Sequence, residues 1–570
     1  MSHDEHTHPH GHDHDHPVIE IDAADDSPLA TSRRRVLQAM GLTAAAAAAA
    51  PLGALPAAAA TPTATAGAPG STVNPYNADD DYFRGDHHIH TEYSPDAMNP
   101  VSRIVQNARK YGLDWMVLTD HGGVAHQKLS IDKITPDIAA ARAANRDILV
   151  YQGLEWNIPG GEHATVFLPP GANTVDVLKA FEGSYDGAVL ATPVASGGLG
   201  KTVRATSADG EPYALEALRY LDDQVVSGRV PIALMFANHP ARRGLDSPHE
   251  FRGWRDAASS VAVGMEGAPG HQAAGISAAE GGIASARGFY DFAPLADSFP
   301  GYAPTATENP YRTYGGFDWL TARVGGFWDS MLAEGKPWWI TSTSDSHVVT
   351  GDLFTPGTGN YNLTGDRGPI VPSATPVPAG DYWPGYYSAT IVGARSKSYL
   401  DIMRGLRAGK IIAVHGRLID ALDLRVRALG DGDRQGVTLG GRTFVKRGND
   451  VEVTVEITLP KGANFNGDIP KLRKVDLIAG PITGPVADAD SFLAPQTSVV
   501  KTFEISASAR TSVEIRYVFK NVKQSFYLRL RGSDGNRVTA DGGPVIDTVG
   551  DANPWKDLWF YANPVFVDVI

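Results

Sequence analysis

Nine histidines and carboxylates recur along the chain in an order suited to holding metal. His88 and His90 stand in Asp86-His87-His88-Ile89-His90, and Asp96 follows His90 by six residues. His121 closes Thr119-Asp120-His121, Glu155 lies in Gly153-Leu154-Glu155, and His163 comes eight residues after it. His239 precedes Pro240, while Asp345 and His347 share Ser344-Asp345-Ser346-His347. Imidazole and carboxylate without thiolate suit Zn, Mn or Fe, and the chain contains no Cys. Such a set can activate water for hydrolysis. No phosphate-cradling glycine loop, dinucleotide fingerprint or acyl-transfer serine motif competes with it.

Chemistry of this kind needs elements that bring distant residues to one place. Trp115–Thr119 is a short apolar run that delivers Asp120 and His121. Ile148–Gly153 leads to Glu155, Ile232–Ala237 to His239, and Trp338–Ser342 to Asp345 and His347. Helical spacing lies between the runs: Val101, Ile104, Val105 and Ala108 after Asn99 as N-cap and Pro100, with Gly112 as the stop. Similar patterns fall near 130–145, 212–227 and 317–334. Ligands placed after strands with helices between predict an α/β fold, a (β/α) barrel with its chemistry on one rim. The Gly/Pro-rich stretches 170–230 and 267–316 read as rim insertions. Alternation on one strand points His88 and His90 the same way, and Asp86 and Asp120 are expected to accept from ligand imidazoles.

From Ala421 onward the period changes to two, with Val451, Val453, Val455 and Ile457 alternating with polar residues. Further strands are expected at Lys474–Ile478, Val499–Ile505, Ser512–Phe519 and Phe526–Arg531, making a C-terminal β-sandwich. The organisation expected is 1–75 as tail, signal and linker, 76–420 as a metallohydrolase barrel, and 421–570 as the sandwich, which is read as a packing domain.

The order HxH, Asp, TDH, GxE, His, HP and SDxH resembles the polymerase-and-histidinol-phosphatase (PHP) superfamily of metallohydrolases. The resemblance covers roughly residues 81–425. Ile402–Lys410 and Phe560-Tyr561-Ala562-Asn563-Pro564-Val565 resemble the barrel close and last strand of its extracellular branch, which includes carbamate-ester hydrolases. The resemblance implies a distorted seven-stranded barrel, (β/α)7, holding three divalent ions. It implies that His88, His90, Glu155 and Asp345 bind one ion, and that Glu155 bridges to a second held by His163 and His239. Asp96, His121 and His347 would bind the third. A metal-bridging hydroxide would then attack phosphorus or an ester carbonyl.

Substrate residues are less marked. Arg242 and Arg243 follow the His239-Pro240 turn, where a guanidinium can grip phosphate, and Arg242 is taken as the catalytic candidate. Lys201 and Arg204 lie in the first insertion, and Glu266 ends a strand, to support a ligand or meet substrate. His87, His126, His249, His271 and His415 are read as hydrogen-bonded structural residues.

Composition narrows the partners. The 570 residues carry a formal net charge of −14, which disfavours a nucleic-acid scaffold with a broad basic face. Ser32-Arg33-Arg34-Arg35-Val36-Leu37-Gln38 resembles a twin-arginine export motif, followed by an Ala-rich stretch from Ala39 to Ala50. Pro51, Gly53 and Pro56 break that stretch short of the roughly 20 residues of a spanning helix, so cleavage near Ala58–Ala60 or Ala64–Ala66 and no stable membrane insertion are expected. Ahead of it, His3, His6, His8, His10, His12, His14 and His16 read as a solvated tail lost with the signal. The expectation is a secreted or extracytoplasmic phosphoesterase acting on a small phosphomonoester or phosphodiester, delivered by the twin-arginine machinery. Carboxylic or carbamate ester hydrolysis on the same centre is the second reading. A binding protein with structural metals is the third, although no ligand position is lost.

Overall fold

The computed structural model describes Val18–Ile19 and residues 80–570, apart from 204–208, 291, 431–434, 507 and 509–510. The twin-arginine motif, the His-rich tail, the linker and Arg204 lie outside the described residues. No helix among the described residues is long and apolar enough to cross a membrane.

The first strands alternate with helices. They are β1 (Asp81–Asp86), α1 (Val101–Lys110), β2 (Trp115–Leu118), α2 (Ile131–Ala144) and β3 (Leu149–Asn157). Then come β4 (His163–Leu168), α3 (Thr174–Tyr185), α4 (Glu211–Val226), β5 (Leu234–Asn238), α5 (Pro248–Ala257) and β6 (Ala262–Ala268). After the second insertion come α6 (Phe327–Ala333) and β7 (Trp339–Ser342). On α1 the buried residues are Val101, Ile104, Val105 and Ala108, the stripe the spacing predicts, and Gly112 ends it at φ +74°. The cap differs from expectation. Pro100 is the flanking residue and Asn99 makes no cap, because its amide oxygen is taken by Arg103.

Strands β1 to β7 hydrogen-bond in chain order. All pairs are parallel except those made by β4, which is antiparallel to both β3 and β5. No helix separates β3 from β4, so the hairpin departs from strict alternation. Its register pairs Glu155 with Thr165 and Asn157 with His163, placing Glu155 and His163 on one face. Past the end of β1, Ile89 bridges Ser346 and the His90 amide donates to the Ser346 carbonyl at 3.1 Å, so the ends of β1 and β7 meet.

The same sheet continues through β8 (Ser388–Ala394), beside α7 (Tyr399–Arg407), and β9 (Ile411–His415). The remaining strands are β10 (Ala421–Ala428), β11 (Arg442–Val445), β12 (Val451–Thr458), β13 (Lys474–Pro481), β14 (Ser498–Glu504), β15 (Ser512–Phe519), β16 (Phe526–Ser533) and β17 (Trp559–Val569). Strand β17 pairs with β9 and β16, and β13 and β14 extend that side, giving one 14-stranded sheet across both halves of the chain. Strands β10, β12 and β15, with Val18–Ile19 at the edge, form a separate sheet. Side chains of both sheets, among them Leu424, Val453, Leu477 and Leu528, share one buried cluster.

Strand β7 has β6 on one side and no backbone ladder on the other. Its polar groups there are met by side chains. Asn563 of β17 accepts from the Ile340 amide at 3.0 Å and donates to the Ile340 carbonyl at 3.2 Å. The Thr390 hydroxyl of β8 accepts from the Ser342 amide at 3.0 Å and donates to its carbonyl at 2.8 Å. A register shift near Asn563-Pro564 frees Asn563 for this task. Arg529 of β16 adds a bidentate pair to Asp329 of α6, both bonds 2.8 Å and both residues fully buried. Asn563→Ala strands a buried donor and a buried acceptor, so chemical denaturation should show a loss of about 2–5 kcal/mol. A loss below about 0.5 kcal/mol, the level of an ordinary surface substitution, would contradict this account.

Candidate metal centre

All nine residues singled out by spacing converge on one cavity or on the buried wall behind it. A cavity of about 500 Å³ is lined by Asp96, His121, Glu155, His163, His239, Asp345 and His347. His88 and His90 lie behind these, fully buried.

Glu155 is the hub. Its Oε1 lies 3.0 Å from His88 Nε2, 3.0 Å from His163 Nδ1 and 3.3 Å from His239 Nε2. Its Oε2 lies 2.7 Å from His121 Nδ1 and 3.2 Å from His90 Nε2. Asp345 Oδ1 sits 3.0 Å from His88 Nε2 and 3.2 Å from His90 Nε2. His121 Nε2 is 3.2 Å and His347 Nε2 3.6 Å from Asp96. The ligating atoms fall into groups small enough for one ion each, including His88–His90–Asp345, His90–His121–His347 and His121–Glu155–His163.

These contacts fit cations better than hydrogen bonds. His88 Nε2, fully buried, stands 3.0 Å from Glu155 Oε1, 3.0 Å from Asp345 Oδ1 and 3.1 Å from His90 Nε2, more neighbours than one N–H can serve. Glu155 Oε2 and Asp345 Oδ1 are buried and form no hydrogen bond of acceptable geometry. Two donors each about 2.1 Å from one ion, subtending roughly 90–110°, stand about 3.0–3.4 Å apart, the spacing found here. Burial and the adjacent Arg242 lower His239 to about 4, and burial with His90 alongside lowers His347 to about 4. Both are neutral at pH 7 and can offer a lone pair.

The supporting contacts differ in part from expectation. Asp86 accepts the backbone amides of His88 and Ser344 at 3.1 Å each, and Asp120 accepts the amide and hydroxyl of Thr91 at 2.6 and 2.8 Å. Neither meets a ligand imidazole: both tie loops. The imidazole partner is Glu266, whose Oε1 takes His88 Nδ1 at 2.7 Å while its Oε2 accepts the His239 amide at 2.6 Å. Glu266 is fully buried, which leaves it no contact with substrate. The expected tautomer of His88, proton on Nδ1 toward Glu266, frees Nε2 for an ion.

His271, read from sequence as structural, lines the cavity, as does Asp381. His271 Nε2 is 2.8 Å from Asp345 Oδ2 and its Nδ1 2.6 Å from Asp381 Oδ1. Burial opposes charge on His271, but Asp345 and then Asp381 outweigh it and raise it to about 10. Glu162 also escaped sequence reasoning. It groups with His163 and His239, and stands 3.7 Å from Arg242 and 3.5 Å from Arg243. His271 carried a weak sequence signal, following a strand by three residues as His239 follows another; Glu162 and Asp381 carried none. The other four histidines read as structural avoid the cavity. His87 bonds Thr165 and Thr341, His126 pairs with Glu182, His249 with Asp490, and His415 lies between Phe317 and Tyr387. Lys201 is exposed and outside the cavity.

Four residues lining the cavity adopt positive φ without being glycine: His239 at 30°, His271 at 52°, Phe289 at 57° and Asp345 at 45°. Such backbone is sparsely populated and costs about 1–3 kcal/mol per residue, so surrounding bonds must hold it.

Residues 86–191 match the PHP domain. The PHP segment contains His88, His90, Asp96, His121, Glu155 and His163, whereas His239, Asp345 and His347 reach the same place from beyond it. Comparison with curated proteins gives no match. Among solved structures, a two-domain protein from Bacteroides vulgatus containing a predicted PHP-like metal-dependent phosphoesterase is 14% identical, with 84% of this chain and 98% of that one covered and a TM-score of 0.31. An inferred metal-dependent phosphoesterase from Bifidobacterium adolescentis is 15% identical over 32% of this chain and 76% of its own, TM-score 0.18. Endonuclease Q, bound to a 27-mer duplex with an abasic lesion, is 15% identical over 35% of this chain and 46% of its own, TM-score 0.19. These likenesses assign no role to any residue.

Stripping metal with a chelator should lower the melting temperature, and adding back Mn or Zn should restore it. Binding at 100 times Kd contributes about 2.7 kcal/mol. In His88→Ala the metal-dependent increment should shrink sharply; an undiminished increment would place the ions elsewhere.

Proposed function

We propose that this chain is an exported metal-dependent phosphoesterase, with β1 to β7 as a distorted (β/α)7 barrel and the C-terminal strands as a β-sandwich. One observation carries the hydrolase reading. Five imidazoles surround the two oxygens of Glu155, at separations that suit shared cations and leave Oε2 without a hydrogen bond. Three divalent ions would be held, one by His88, His90, Glu155 and Asp345, a second by Glu155, His163 and His239, and a third by Asp96, His121 and His347. Bound there, Zn, Mn or Fe would make water a nucleophile at neutral pH and neutralise charge growing on the substrate.

The chain's own residues then orient. Glu266 fixes the His88 ring, and Ser94, 2.9 Å from His90 Nδ1, fixes that of His90. Arg242 lines the cavity and would offer its guanidinium to an anionic group of the substrate. The small phosphate ester would enter past Phe289 and Val348, which exclude water from one wall. The carboxylic or carbamate ester reading retains support from Glu162, which stands between Arg242 and Arg243 and offsets part of their charge. Export by the twin-arginine route rests on Arg33, Arg34 and the Ala-rich stretch after them.

Protein loaded separately with Mn, Zn and Fe should hydrolyse nitrophenyl phosphate or bis-nitrophenyl phosphate faster than nitrophenyl acetate. Hydrolysis of the acetate alone overturns the phosphoesterase reading in favour of the ester reading. His88→Ala and Asp345→Ala should fold yet lose turnover by at least about 10²-fold, the scale of removing one electrostatic stabiliser. Near-wild-type rates in either variant would overturn the ligand assignment, whereas no turnover under any metal would favour a binding role.

A further inference from the structure

We propose that His271 and Asp381 form a positioning pair that restricts Asp345 to one metal-facing oxygen and anchors the loop carrying His347. The inference rests on the reading of Asp345 and His347 as metal ligands. The two oxygens of Asp345 do different things. Oδ1 faces His88 and His90 at 3.0 and 3.2 Å and has no hydrogen-bond partner, whereas Oδ2 meets His271 Nε2 at 2.8 Å. A carboxylate free at both oxygens can chelate an ion with both, taking two positions and rotating in its plane. An N–H on Oδ2 removes that option and sets the plane.

Asp381 supports both arms. Its Oδ1 holds His271 Nδ1 at 2.6 Å, and its Oδ2 accepts the backbone amides of His347 and Val348 at 2.6 and 2.8 Å. One carboxylate therefore sets the ring that restrains Asp345 and the backbone that presents His347. The approach is built into the chain. A Cβ on Gly270 would stand 2.2 Å from Asp345 Cβ and from the Ser344 carbonyl, so only glycine lets this segment close on Asp345. His271 itself is left-handed, φ 52° and ψ 35°, held by its amide to the Ser344 carbonyl and by its carbonyl to the Gly288 amide. Phe289 packs on the ring, with centroids 4.7 Å apart.

Two substitutions separate this role from a backbone one. His271→Asn places an amide where Nδ1 was, toward Asp381, and suits left-handed backbone. His271→Gln places an amide where Nε2 was, toward Asp345, and suits that backbone less well. Metal retention is read by chelator competition, and ligand geometry by the visible absorption of the Co-substituted protein. The Asn variant should release metal about 10–100-fold more readily and shift the Co bands, the Gln variant should recover most of both, and Asp381→Asn should lose as much as His271→Asn. Retention equal to wild type in His271→Asn or in Asp381→Asn overturns the pair, as does an Asn variant that performs as well as or better than Gln. Asp345→Ala distinguishes the failures. If it loses metal while His271→Asn does not, only the positioning pair falls; if it keeps wild-type metal, the reading of Asp345 as a ligand falls and the pair with it.

Discussion

The unladdered side of β7 is the constraint on which the metal centre depends. A strand with one free edge inside a protein must find partners for its amides and carbonyls, since each left unmet costs about 1–3 kcal/mol. Here Asn563 and Thr390 act as substitute peptide groups, one for Ile340 and one for Ser342. Asp345 lies three residues beyond Ser342, so the position of that edge fixes where Asp345 stands. The C-terminal half is thereby more than an appendage, because β17 both extends the large sheet and supplies Asn563.

Charge is the second organising term. Glu155, Asp345 and Glu266 are buried together and face a ring of imidazoles. Burial of so many carboxylates is expensive unless positive charge meets them. Protonated histidines supply some in isolation, and divalent ions supply more without needing protons. The left-handed backbone of His239 and His271 belongs to the same account: the His239 amide donates to Glu266 and the His271 amide to the Ser344 carbonyl.

Of the nine candidate residues, His121, His239, Asp345 and His347 were legible because they follow strands, and those strands announce themselves by short apolar runs. The helices at 131–144 and 211–226 were legible from their period, and the alternation at 451–458 from its own. What lay hidden shares one property: its partner is remote and its own neighbourhood is unmarked. Asp381 sits in a long loop with no period to interrupt. Glu162 is a turn residue of the β3–β4 hairpin, where acids are common. Asp86 and Asp120 were rightly placed beside the ligands but given the wrong partner, because sequence adjacency favours backbone amides over rings that point away. The antiparallel β4 was concealed by the expectation of a helix between consecutive strands, and the continuous sheet by the change of period at Ala421, where the chain leaves the large sheet for the smaller one before later strands rejoin the large sheet through β17.

The bond between Asn563 and Ile340 spans 223 residues. A ribosome adding about 5–20 residues each second makes Ile340 roughly 10–45 s before its partner exists. During that interval β7 has an open edge beside a cluster of carboxylates, and the loop of Asp345 has no fixed place to stand. Every one of the nine candidate residues is thus made well before the strand that supplies Asn563, so the support of the β7 edge is the last part of this region to be synthesised.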